Sequence, residues 1–414
     1  MTDEHNHTDR THSNHGRVSR RQFVATTALV GTGVLAGCPG SQDGGDGEED
    51  GDGGDGGDGG DGGDGGDGGT PDDPTALANF RGSGPLVQQR DPPGGTSITE
   101  LPDLSGELTL YLGGGEGGLY LDLIERFKDV YPDFEVSTTL DSSAGLANRI
   151  IEESAAGTSP ADLFMAVDAG SLGAVAGEGG TVSLPSEVTS LVPESLRTDQ
   201  WVGFAGRARA VPYNTEALSR SAIPDTVQEF PEVPEFEDAF GWAPTYSAFQ
   251  AFVTAIRVLR GREQTREWLL AMKDHGALEL NDEFLTSNSV ADGEIVAGLA
   301  NHYYALRIRN ARQNAPVDIT FTTNDAGALI NTSGAEIIQG TDNEELAVRF
   351  VRHLLSSEAQ EFFATTTFAY PTVPEVPPAG GLPTVEELDP PDIDLTELAD
   401  VEPTLELLRD TDVL

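Results

Sequence analysis

A two-lobed α/β fold, with a ligand cleft between the lobes, is predicted for the part of this chain beyond residue 100. Three observations predict it. Short apolar runs alternate with stretches of helical periodicity, glycine-rich turns separate them, and about 310 residues follow an acidic linker, enough for two domains.

Residues 107–112 (ELTLYL) read as a buried strand, followed by the tight loop Gly113-Gly114-Gly115-Glu116-Gly117-Gly118. Apolar residues then recur at Leu119, Leu123, Ile124, Phe127 and Val130, the spacing of one helix face, and Pro132 ends the helix. Residues 134–138 are the next expected strand, 145–156 a helix and 162–167 a third strand. Such alternation implies a mainly parallel sheet covered by helices on both faces. Ligands of such sheets sit beyond the carboxyl ends of the strands, so loops 113–118 and 168–171 should line one side of a site. Residues 208–213 read as an extended crossover. Helices are expected from Ser247 through Leu259 and over 265–273, and a buried strand over 295–300 leads into Asn301-His302-Tyr303-Tyr304. Residues 327–338 return to strand character, and helices follow over 343–355 and through Phe363.

The N-terminus reads as an export signal. Arg17-Val18-Ser19-Arg20-Arg21-Gln22-Phe23 resembles a twin-arginine motif, and the uncharged run 24–35 has the length of a signal core, short of a membrane span. Leu35-Ala36-Gly37-Cys38 resembles a lipobox, which would lipidate Cys38 and anchor the chain to the outer face of the cytoplasmic membrane. Cys38 is the single cysteine, so the fold is expected to have neither a disulfide nor a catalytic thiol. The Gly-Gly-Asp repeat over 41–74 has no apolar side chain to bury and is expected to be a disordered, charge-extended tether, with the linker taken as 39–100.

Acidic residues number 70 against 24 basic ones, a formal charge of −46, and only Lys128 and Lys273 are lysines. An acidic, lysine-poor surface resembles those of proteins that work in high salt, where screening relieves self-repulsion. The balance argues against nucleic-acid binding, which needs a basic face. Catalytic patterns are missing too. Beyond His5, His7, His12 and His15 only His275, His302 and His353 remain, in no zinc-type spacing, and the sequence has neither a phosphate loop nor a Gly-x-Ser-x-Gly elbow. No enzyme is expected.

The order of landmarks, from Leu108-Thr109-Leu110-Tyr111 through Ser159-Pro160-Ala161-Asp162-Leu163-Phe164, Gly206-Arg207-Ala208-Arg209-Ala210-Val211, Asp292-Gly293-Glu294, Asn301-His302-Tyr303-Tyr304 and Gly327-Ala328-Leu329 to Ala369-Tyr370-Pro371, resembles a known family. It is that of the ferric-ion-binding type II periplasmic binding proteins, the solute receptors of ABC importers. The resemblance implies two lobes, each a mostly parallel sheet flanked by helices, with residues 101–207 and 325–370 in lobe 1 and 208–324 and 371–414 in lobe 2. It implies ferric iron as cargo, a permease and its ATPase as partners, and a monomer. It gives Tyr303 and Tyr304 the role of phenolate ligands, apt for a hard trivalent ion that holds its ligands deprotonated. Neighbouring strand residues point to opposite faces, so both rings can serve one metal only where the strand gives way to another conformation. Where family members commonly carry a His in the first loop and a Glu in the second, this chain has Gly115 and Val167. Glu116 and Asp168 stand one residue later and are the candidate carboxylate ligands. An accompanying carbonate or phosphate is implied at the helix start Thr245-Tyr246-Ser247-Ala248-Phe249, with Ser247, Ala248 and Asn301 as contacts; Thr245 or Ser247 as a plain N-cap is the alternative there. Two other functions stay open: the same receptor holding an organic or oxyanion solute (thiamine-like, polyamine or phosphonate), and a lipid-anchored surface hydrolase.

Overall fold

The computed structural model describes residues 78–88, 90–114, 118–385 and 387–414. The export motif, Cys38, the Gly-Asp repeat and Glu116 lie outside them. Strand β1 (Gly106–Gly113) pairs in parallel with β2 (Phe134–Asp141) on one side and β3 (Leu163–Ala166) on the other. β1 and β3 are covered on both faces, which is why Leu108, Leu110, Leu112 and all of β3 are apolar and buried. β2 is the edge, and its largely exposed residues include Leu140. Helix α1 (Tyr120–Val130) buries Tyr120, Leu123, Ile124 and Phe127, an i, i+3, i+4, i+7 stripe. Helices α2 (Ser143–Ala155) and α3 (Ala169–Gly177) are N-capped by Ser142 and Asp168, whose side chains accept from the N–H groups of Gly145 and Ser171.

The fourteen-residue strand β4 (Trp201–Asn214) is the crossover. Its first half runs antiparallel to β10 (Ile330–Ile337), which in turn lies antiparallel to β3. Beside it sits β11 (Tyr370–Pro371). Its second half pairs with β7 (Ala297–Gly298), β8 (Ala300–Asn301) and β9 (Val317–Thr320). From there β5 (Phe240–Trp242) and β6 (Leu278–Glu279) extend the second lobe in parallel. The sheet is therefore mixed. Each lobe keeps a parallel set, and the antiparallel pairs arise because β4 leaves the first lobe where β10 returns to it. Helices α4 (Ser247–Arg260), α5 (Arg262–Asp274), α6 (Glu283–Ala291) and α7 (His302–Ala311) cover the second lobe. Gly261, at φ +85°, makes the turn between α4 and α5. Helices α8 (Glu344–Leu354) and α9 (Ser357–Phe362) follow β10, and α10 (Glu402–Asp410) packs on α4 and α5.

The expected linker differs from what is observed at its C-terminal end. Phe80 is fully buried with its ring 5.5 Å from that of Phe127, and Ser97 and Glu100 form a capping box. Beyond the Gly-Asp repeat the chain regains Phe80, Leu86, Val87 and Ile98, apolar side chains that offset the entropy of ordering.

Candidate functional site

The register of β4 builds the site. Arg207 and Arg209 are two apart, so both side chains leave the same face of the strand. Arg207 stands opposite Asn331 of β10, and Arg209 stands opposite Asn301 of β8. All four line one cavity of about 410 Å³, together with Asp168, Ser247, Ala248, Gln250 and Asn148. Ser247, Ala248, Asn301 and Asp168 thus line one cavity.

The charged side chains that line this cavity are Arg207, Arg209 and Asp168. Arg209 is buried and ion-paired with Glu283, whose other carboxylate oxygen accepts from the Asn301 N–H (2.8 Å). The Nε and Nη2 atoms of Arg209 have no hydrogen-bond partner among the described residues. Arg207 donates to the carbonyl of Val167. The N-cap of α4 is Tyr246, and no side chain caps it, so neither Thr245 nor Ser247 takes that role. The first-turn N–H groups of α4 and its positive dipole end are left for another acceptor. Together with two guanidinium groups they make a place for an oxyanion.

Asp168 reaches the cavity wall, but its carboxylate is engaged as the N-cap of α3. It accepts from Ser171 N–H at 2.7 Å and from Ser171 Oγ at 3.0 Å. It offers a metal less than an uncommitted carboxylate would. Glu116 lies outside the described residues. Among those residues no group of three or more His, Cys, Asp or Glu could hold a metal ion.

The tyrosine pair sits in the first turn of α7, immediately past β8, where a strand becomes a helix and adjacent side chains no longer oppose each other. The ring centroids of Tyr303 and Tyr304 are 4.5 Å apart. Asn301 Nδ2, from the cavity wall, donates to the Tyr303 hydroxyl at 3.1 Å, linking the anion place to the pair. The hydroxyls of Tyr304 and Tyr246 are 2.5 Å apart. Arg307 lies over both rings, at 4.7 Å from the centroid of Tyr303 and 5.7 Å from that of Tyr304. Tyr303 and Tyr304 are both buried and are not among the residues of the 410 Å³ cavity. His302 fixes the start of α7. Its Nε2 donates to the Phe368 carbonyl at 2.8 Å and its Nδ1 accepts from Ala208 N–H at 3.2 Å, a neutral tautomer. Burial pushes its pKa down to about 3.

Sequence reasoning missed Tyr246, Arg207, Arg209 and Asn331 as site residues. Tyr246 stood inside the segment read as an anion contact. The alternation Arg207-x-Arg209 in a crossover strand was the signal for the two cations. Asn331 follows from β-register alone.

A model of the family described as bacterial extracellular solute-binding protein matches residues 122–388. The chain belongs to that family. This solute-binding protein is 30% identical over 284 residues to the major ferric iron-binding protein of Neisseria meningitidis serogroup A, covering 66% of this chain and 84% of that one. It is 27% identical over 257 residues to iron uptake protein A2 of Synechocystis, covering 59% and 73%. Its fold superposes on iron-bound HitA from Pseudomonas aeruginosa with a TM-score of 0.65 and 27% identity, covering 74% of this chain and 99% of that structure. The two-lobed α/β expectation holds, and the protein is a transport receptor, not an enzyme.

Proposed function

We propose that this solute-binding protein captures ferric iron together with a small oxyanion outside the cytoplasm and delivers it to an ABC-type permease and its ATPase. The observation that carries this reading is the meeting of the Tyr304 and Tyr246 hydroxyls, with the Tyr303 ring packed beside that of Tyr304, next to a cavity with two arginines and an uncapped helix N-terminus. Fe3+ favours anionic oxygen, and phenolates supply it where the described residues hold no carboxylate or histidine cluster. The guanidinium N–H groups nearby and the N-terminus of α4 would hold carbonate or phosphate to fill remaining metal positions. The names of the relatives, ferric iron-binding and iron uptake proteins, support the same cargo. Anchoring through a lipidated Cys38, and action as a monomer, complete the proposal.

Ferric iron added to purified apoprotein should give a visible phenolate-to-iron charge-transfer band that is lost in Tyr303→Phe and Tyr304→Phe. No band in the parent protein overturns the iron reading. A second reading, an oxyanion such as a phosphonate as sole cargo, is favoured by the Arg207–Arg209 lining. It requires calorimetric binding of the oxyanion by iron-free protein, unchanged in Tyr303→Phe.

A further inference from the structure

The segment that precedes β1 runs as a strap from the first lobe to the tyrosine pair. Phe80 is seated against Phe127 of the first lobe, and the N–H of Gly82 donates to Thr365 Oγ1 at 2.8 Å. Arg81 folds the strap on itself by donating to the carbonyls of Val87 (2.8 Å) and Arg90 (3.2 Å). Arg90 is ion-paired with Glu361 and donates to the Pro377 carbonyl at 2.7 Å. Between these two fastened ends, the helical turn Pro85–Gln88 packs on α7 of the second lobe. Leu86 and Val87 join Tyr303, Tyr304, Leu306 and Phe368 in one apolar cluster, and Val87 is as thoroughly buried as Tyr303. On that side the strap accepts a hydrogen bond at Ser83 O from Asn310 Nδ2 (3.0 Å). Gly84, at φ +119°, lets the two meet, because a Cβ there would fall 2.2 Å from Asn310 Oδ1.

We propose that the described residues 81–88, with Arg90, form a displaceable cover over Tyr303 and Tyr304, fastened at both ends and lifted from α7 when ligand enters or leaves. The proposal rests on reading the tyrosine pair as the ligand site. Its physical basis is an asymmetry of attachment. At its two ends the strap is held by the buried Phe80 ring, the Gly82–Thr365 hydrogen bond, the Arg90–Glu361 ion pair and the Arg90–Pro377 hydrogen bond. Over α7 it is held by two aliphatic side chains and an amide–carbonyl bond. The weaker side breaks first. Apolar contacts also separate without leaving a buried polar group unsatisfied, so the cover lifts without a charge rearrangement.

Nitration by tetranitromethane, read by peptide mass mapping on the iron-free protein, tests the cover without metal. Tyr303 and Tyr304 should react slowly in the parent protein and roughly tenfold faster in Val87→Ser, which weakens the apolar contact. Asn310→Ala, which removes only the bond to Ser83, should raise the rate less, and it carries the test if Val87→Ser fails to fold. The charge-transfer band should also appear faster in both variants when iron is supplied as ferric nitrilotriacetate. Equal nitration rates in the parent and both folded variants overturn the cover. Faster nitration in the variants, with no ferric band in any of the three proteins, supports the cover and removes the iron reading instead.

Discussion

At the scale of single residues, Tyr246 is the sharpest test of the site. Its hydroxyl meets that of Tyr304 at 2.5 Å, so it either binds the cargo directly or holds a ligand in place. Tyr246→Phe keeps the ring and loses the oxygen, and should weaken ferric binding roughly 10- to 100-fold in competition with a chelator while leaving the melting temperature nearly unchanged. His353 sets a pH dependence. A carbonyl only accepts, so Nδ1 donates to Arg349 O (2.8 Å), and Nε2 accepts from the Tyr131 hydroxyl (3.0 Å). Burial pushes its pKa down to about 4 from an ordinary 6.5. As pH falls below 6.5 the unfolded chain takes up a proton that the fold refuses, so stability present above 6.5 is lost toward pH 4, by about 3 kcal/mol. His353→Gln should flatten the unfolding free energy measured across that interval. The adjacent tyrosines were legible in the sequence because they announce themselves side by side. Tyr246 was not, because only folding brings the start of α4 against the start of α7.

At the scale of elements, Glu283 joins three pieces of the site. From the first turn of α6 it pairs with Arg209 of β4 and accepts from the backbone of Asn301 in β8. Removing one partner of a buried ion pair strands the other, so Glu283→Ala should cost about 3–5 kcal/mol in denaturant unfolding. Glu283→Gln keeps the shape and one accepting oxygen but sets an amide NH2 against the other N–H, so it should recover only part of that loss. Helices and strands with strong local periodicity, such as β1, α1, α4 and α5, were readable within a few residues. The antiparallel course of β10 between β3 and β4 was not, since a strand's apolar pattern says nothing of its direction or neighbours. The same holds for the cavity. Arg207 and Arg209 were visible as residues, but their partners Asn331 and Asn301 come from pairing register. The strap was read as linker because its contacts, such as Arg90 with Pro377 and Gly82 with Thr365, lie more than 280 residues away in the chain.

At the scale of the whole molecule, a formal charge of −46 dominates. Self-repulsion of this size opposes compactness, and dissolved ions relieve it within a Debye length of about 10 Å at 0.1 M and 3 Å at 1 M. The melting temperature should therefore climb with sodium chloride by at least ~2 °C and level off near 1 M, a saturation that distinguishes screening from continued salting-out. A linear rise with no plateau would remove the electrostatic explanation. The continuity of β4 has its own consequence for how the receptor works. One unbroken ribbon of fourteen residues serves as structural timber in both halves, with Arg207 on one side of the join and Arg209 on the other. Torsion of that ribbon swings the two guanidinium groups relative to each other. If these groups hold the proposed anion, grip on it and the angle between the halves would be one mechanical variable.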